Sequence, residues 1–281
     1  MSAHVVSMRD ALYEAPGPKT ARRTLIATII SLVLVATGLA LVVRQFYVTG
    51  QLDPKYWRFF LRPATWIYIA NGFLGTLRVA LVAGAISLVL GILFMFGRIS
   101  RFKPISFLFR IIIDFFRGVP SLLLIYFFYL ALPQYGFKMP AFWMIALPVA
   151  LAASGVLAEV FRAGVNAVPK GQTEAALSIG LTPGKTLRKI VLPQALRIVV
   201  PSLISQLVVV VKDTTVAYVV SYPDLMQNAR VLITTHDALV QVYFVVAILY
   251  ILVNFAINQL SVAMARRSGN PIISRATENP T

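Results

Sequence analysis

The sequence predicts an all-α integral membrane protein with about six transmembrane helices, and three observations carry that prediction. First, 58% of its 281 residues are hydrophobic and only 13% charged, with a mean hydropathy of +0.79, whereas soluble domains carry about 25% charged residues. Second, the apolar residues fall in blocks of the length a bilayer-crossing helix needs, about 20 residues. Third, the cations that give a formal net charge of +16 sit between those blocks rather than along one amphipathic face. That distribution is what the positive-inside effect produces, and it leaves little polar surface for nucleic acid. There is no cysteine, which excludes disulfides, thiolate metal sites and thiol catalysis. His4 and His236 lie far apart and form no ligand motif, so no metal site is expected.

A polar segment, 1–24, ends at Arg22-Arg23 and is followed by the unbroken apolar run Leu25 to Val43. That run exceeds the ~7–15 residues of a signal-peptide core and no small-residue cleavage site follows it, so 25–43 reads as an uncleaved first span. Residues 44–68 are polar and aromatic (Arg44, Asp53-Pro54, Tyr56-Trp57, Arg62-Pro63), as chain at a water–lipid interface is. The second span is read from Ile69 to Phe96. The third runs from Phe107 to Leu132, entering at a shallow angle because Arg110, Asp114 and Arg117 occupy its first half. The fourth runs from Met139 to Val160, the fifth from Ile198 to Val220 and the sixth from Val240 to Met264. Spans 69–264 thus form a core containing the polar loop 161–193, and 265–281 is a tail.

Six spans put both termini on one side. Arg9, Lys19, Arg22, Arg23, Arg98, Arg101, Lys103, the six cations of 161–197 and Arg266, Arg267 and Arg275 fall there. They outnumber Arg44, Lys55, Arg58, Arg62, Lys138, Lys212 and Arg230 opposite, which places the termini and the loop 161–193 in the cytoplasm. Within the second span, Ala80, Gly84, Ser87 and Gly91 share one helical face of small residues, suited to close packing inside the chain or against another subunit. No internal repeat is visible, so the inverted repeats of many secondary transporters have no support here.

The loop is punctuated as a helical hairpin. Pro169 suits a first turn, Glu174 to Ile179 propagate a helix, and Gly180 is placed for a left-handed cap. Thr182 and Pro183 then fit the N-cap and first position of a second helix, which Pro193 turns into the next span. Ala175, Ala176, Leu177 and Ile179 give the hairpin an apolar edge. Gly180-Leu-Thr-Pro-Gly184-Lys185-Thr186 looks like a phosphate-binding loop, but it has one residue too few between its glycines and no strand before it.

Glu174-Ala175-Ala176, Gly180, Ile190 and Leu192-Pro193 follow the pattern E-A-A-x3-G-x9-I-x-L-P in full. This resembles the signature cytoplasmic loop of permease subunits in ATP-binding-cassette (ABC) importers. Arg117-Gly118-Val119-Pro120, Pro169-Lys170-Gly171-Gln172, Leu192 to Arg197 and Lys212-Asp213-Thr214-Thr215 resemble further elements of the polar amino acid branch, with Val119 where threonine is usual. The likeness covers residues 69–262 and implies a five-helix type I importer core preceded by one extra helix, in the bacterial cytoplasmic membrane. It further implies that Glu174, Ala175, Ala176 and Gly180 form a coupling helix docking on a separate ATPase subunit, which holds ATP and magnesium. A second permease subunit, identical or related, and an extracytoplasmic solute-binding protein complete the expected assembly. No cofactor and no catalytic residue are expected on this chain.

Charges within spans are costly, about 2.5–3.5 kcal/mol each at mid-bilayer, and so mark candidate sites. Lys212, Asp213, Thr214 and Thr215 lie in the fifth span, with Glu159 and Arg117 as candidate partners for the charges. They form either a zwitterion site or a structural ion-pair network. Arg78 lies in the second span; facing a cavity it favours an acidic substrate such as glutamate or aspartate, while snorkelling outward it says nothing of substrate. Asn254 and Asn258 are read as helix–helix hydrogen-bonding residues. The competing function is an ion-gradient-coupled secondary transporter using Glu159 and Asp213.

Overall fold

The computed structural model describes residues 17–267; the predicted termini outside that range, with His4, Arg9 and Arg275, and the side chains of Arg266 and Arg267 lie outside the described residues. Among the described residues every regular element is helical. Among the described residues five helices are long and apolar enough to cross a membrane, six if the bent pair 103–118 and 121–135 counts as one broken span. The chain divides into two units, 1–57 and 58–281.

In the first unit, helix α1 (Pro18–Val48) starts on a proline at its first turn and buries none of its residues. Beyond it, Asp53 accepts a hydrogen bond from the Lys55 backbone N–H at 2.8 Å, and the Lys55 ammonium lies 4.7 Å from the Tyr56 ring.

The second unit is built on α2 (Pro63–Arg98) and α5 (Ala141–Ala167). The span read from Ile69 begins earlier, at Pro63, because a proline without an N–H starts a helix at no cost. The small face of α2 packs inside the chain: Gly84, Ser87 and Gly91 are buried, and a Cβ on Gly91 would stand 2.8 Å from that of Leu157. Val79, Ala80, Ala83, Ile145, Val149 and Val210 belong to one core cluster, and Met95, Leu157, Phe161 and Val199 to a second. The first cluster takes 79–83 of α2 with 145–153 of α5 and the second Met95 with Leu157 and Phe161, so α2 and α5 run in the same direction.

The third span is a break rather than a shallow crossing. Helix α3 (Lys103–Gly118) and the helical stretch 121–135, which opens with α4 (Ser121–Tyr126), meet at 97°. Pro120 forces Val119 into extended backbone and cannot donate, so Arg117-Gly118-Val119-Pro120 ends one helix and starts another. The charges of α3 form an exposed ladder, with Arg110–Asp114 at 3.7 Å and Arg117–Asp114 at 3.8 Å.

After α5 come the short helices α6 (Lys170–Ser178) and α7 (Pro183–Thr186). Pro193 does not turn the chain. A π-helical stretch, Leu187–Val191, carries α7 directly into α8 (Leu192–Asp213), giving one continuous helical run from Pro183 to Val220. The Leu192 N–H reaches the Leu187 carbonyl, so the register is widened where Pro193 offers no donor. A 3-10 segment, Thr214–Val220, leads to α9 (Leu225–His236) and α10 (Leu239–Arg267). The asparagine expectation is corrected here. Asn258 is exposed and the Oδ1 of Asn254 is buried without a partner; it is the Ser261 hydroxyl that donates across helices, to the Pro201 carbonyl at 3.1 Å.

Candidate functional site

Two features lie at opposite ends of the bundle. At the C-terminal end of α5, α6 ends in a Schellman cap: the Gly180 N–H donates to the Leu177 carbonyl at 3.0 Å and the Leu181 N–H to the Ala176 carbonyl at 3.1 Å, with Gly180 at φ +83°. Thr182 precedes α7 in extended backbone, with Pro183 at its first turn. Glu174, Ala175 and Gly180 are exposed, and Glu174 forms no ion pair among the described residues. Leu177 is 43% and Ile179 78% exposed, an apolar edge standing free. Ala176 is buried, so it seats the hairpin on its own chain rather than lining that edge. The Gln194 amide donates to Gln172 Oε1 at 3.2 Å, tying α6 to the foot of α8.

At the end where α2 begins, residues 222–228 clamp onto it. The Leu225 N–H donates to Thr76 Oγ1 at 3.1 Å and the Asn228 amide to the Tyr68 carbonyl at 2.8 Å. The close approach depends on glycine: a Cβ on Gly75 would stand 2.3 Å from the Pro223 carbonyl oxygen. Asp224 caps α9, accepting from the Gln227 N–H at 2.7 Å, while its Oδ2 is buried without a partner. Burial pushes its carboxyl up to about 6. Beside this clamp a cavity of about 370 Å³ is lined by Tyr68, Asn71, Arg78, Tyr222 and Asn228. Arg78 therefore faces a cavity. Of these residues only Arg78 stands out in the sequence by its charge; the spacing of Tyr68, Asn71, Gly75 and Arg78, all on one helical face, is the signal for the others on α2.

The remaining predicted residues separate. Arg117 and Asp213 line one cavity of about 140 Å³ with Ser121 and Gln206, against α5 where Gly155 lets α3 approach. Lys212 is exposed. Glu159 is not a partner of Lys212 or Asp213: its Oε2 takes Arg162 Nη2 at 2.6 Å and Nε at 2.9 Å, one helical turn away. Thr214 is fully buried and its hydroxyl donates to the Val211 carbonyl, while that of Thr215 donates to the Lys212 carbonyl. These hydroxyls close the end of α8, and Thr214 has no surface to offer a solute.

A helical bundle crossing the membrane, with an exposed capped hairpin at one end and a polar cavity at the other, defines a multi-pass transport subunit. The family described as "binding-protein-dependent transport system inner membrane component" matches residues 87–269, and the chain belongs to that family. Among its relatives, the glutamate transport system permease protein of Corynebacterium glutamicum is 32% identical over 240 residues, covering 82% of this chain and 88% of that protein. A probable glutamine ABC transporter permease protein of Bacillus subtilis is 35% identical over 200 residues, covering 71% and 91%. A chain in the crystal structure of an amino acid ABC transporter with histidines superposes with a TM-score of 0.68 at 28% identity, over 71% of this chain and 94% of that one.

Proposed function

We propose that this chain is the permease half of an ATP-driven importer that carries a polar amino acid inward across the cytoplasmic membrane. The observation that carries the reading is the hairpin 170–191: a rigidly capped helix whose exposed Glu174, Leu177 and Ile179 form a surface for another protein, tied through Gln172 and Gln194 to a span. In this reading the hairpin is cytoplasmic and docks on an ATPase subunit that binds ATP and magnesium. The Arg78 cavity then opens to the outside, where a solute-binding protein delivers its cargo, and a second permease subunit closes the path. Arg117, Lys212, Asp213 and Thr215 flank that path, and the opposite charges of Arg117 and Asp213 suit a zwitterion. Both permease relatives are named for amino acids, one for glutamate and one, as probable, for glutamine. The ion-coupled alternative loses ground because Glu159, one of its two carboxylates, is already paired with Arg162.

The test is isolation of the tagged chain from its native membrane under gentle conditions, with and without Glu174→Ala plus Gly180→Leu. ATPase activity is expected to co-purify with the unaltered chain and to fall sharply with the double change. Leucine at Gly180 must adopt φ near +83°, a conformation that costs L-residues about 1–2 kcal/mol. Equal recovery of ATPase from both, or none from either, counts against the reading.

A further inference from the structure

The charge of the outer cavity bears on a question the two named relatives leave open, since glutamate and glutamine differ in side-chain charge. Arg78 is far from either end of α2, at about 1.5 Å per residue roughly 22 Å from Pro63 and 30 Å from Arg98. A guanidinium at that depth is tolerated where it meets water or a polar partner rather than lipid. Arg78 is exposed, and among the described residues no carboxylate lies within 4 Å of it. The acid closest along the adjoining segment, Asp224, is fully buried, with Oδ1 committed to Gln227, and does not line the cavity.

Asn71, two helical turns before Arg78 on the same face, adds an amide, and Tyr68 and Tyr222 contribute phenols. Asn228 spends its amide N–H on the Tyr68 carbonyl, which leaves its Oδ1 as an acceptor. The cavity lining thus offers one cation among neutral hydrogen-bonding groups, with the Asp224 carboxyl buried behind Tyr222 rather than at the surface, in a volume of about 370 Å³, within the roughly 300–1,000 Å³ of small-molecule sites. Guanidinium presents a planar fork that matches a carboxylate. The Arg117–Asp213 cavity, by contrast, carries both signs and has no preference of that kind.

We propose that the cavity holding Arg78, Asn71 and Tyr222 is a carboxylate-binding station that makes the transporter selective for an amino acid with an acidic side chain. The inference rests on the importer reading above and names its substrate class. Arg78 is the charged contact; Asn71 and Tyr222 orient the carboxylate. The lining itself offers a cationic side chain no counter-charge and gives a neutral amide no ionic contact.

The test is equilibrium binding of radiolabelled L-glutamate and L-glutamine to the complex, isolated with its own partner subunits and placed in lipid nanodiscs without binding protein. The unaltered complex is expected to bind glutamate at least about tenfold tighter than glutamine, the scale of one charge-assisted contact. Arg78→Gln is expected to remove most of that difference, weakening glutamate about tenfold or more and glutamine less than threefold. Asn71→Asp leaves Arg78 in place and sets a carboxylate on the same face; it is expected to weaken glutamate selectively too, which guards against misfolding of the Arg78 variant. Equal affinity for both amino acids in the unaltered complex, or equal loss of both in each variant, overturns the proposal. In proteoliposomes that also hold the binding protein, ATP-driven amino acid uptake alongside such a result sinks the station alone; absence of that uptake sinks the importer reading as well.

Discussion

Gly75 is the position where one methyl group tests the architecture of the Arg78 cavity. Its Cβ in Gly75→Ala would stand 2.3 Å from the Pro223 carbonyl oxygen and 3.2 Å from its carbon, both backbone atoms that no rotamer change can move. The contact must open by about 1 Å to reach ordinary van der Waals separation. Opening it strains the 3.1 Å bond from the Leu225 N–H to Thr76 and the 2.8 Å bond from Asn228 to Tyr68. Overpacking costs about 1–3 kcal/mol and each lost hydrogen bond about 0.5–1.5 kcal/mol. Since helical alanine recovers about 1 kcal/mol over glycine, a net loss of about 2 kcal/mol is expected. For a chain of this size that lowers Tm by roughly 4–8 °C. Intrinsic fluorescence of the 3 tryptophans in detergent reads the transition. Gly171→Ala is the control, because a Cβ there meets nothing within 4 Å. Equal Tm values for both variants would refute the clamp.

Asp224 predicts a pH dependence. Its folded-state carboxyl is raised to about 6 by burial, above its ordinary 3.8, so the folded protein holds the proton more tightly than the unfolded one. The associated stability is present below pH 4 and lost as pH rises through 6, by roughly 3 kcal/mol in all; denaturation midpoints between pH 4 and 7 should show that slope, and Asp224→Asn should flatten it while keeping a good N-cap. Parallel profiles for the two proteins would contradict this. Ser261→Ala removes the hydroxyl bond to Pro201 that joins α10 to α8 and should cost about 0.5–1.5 kcal/mol, whereas Ser205→Ala, whose exposed hydroxyl bonds only its own helix, should change stability by less than about 0.5 kcal/mol; chemical denaturation compares them.

Much of this was legible in the sequence because the signals were local. Gly180 after a helical stretch, and Thr182-Pro183 after that, specify a cap and a restart through backbone sterics alone, and both form as read. The small face of α2 and the apolar block lengths are likewise periodic along the chain. What escaped depended on partners distant in sequence or on backbone adjustments composition does not encode. The clamp joins Thr76 to Leu225 and Tyr68 to Asn228, and nothing near either segment announces the other. Pro193 signals a turn in the sequence, yet the π-helical stretch before it absorbs the missing donor and the helix continues. Pro120 is the converse: the apolar pattern runs one span through it, while its steric effect on Val119 bends the chain by 97°. Glu159 found Arg162 one turn away before it could reach another helix, as long side chains at that spacing do.

The central claim is that an ATPase, not an ion gradient, drives solute through this bundle. Its most direct test is uptake of radiolabelled amino acid into proteoliposomes holding the chain, its co-purified subunits and the solute-binding protein, with ATP supplied on the hairpin side. Uptake that requires ATP and continues when proton and sodium gradients are collapsed by ionophores is the predicted result. Uptake that proceeds without ATP and stops with the ionophores would contradict the account.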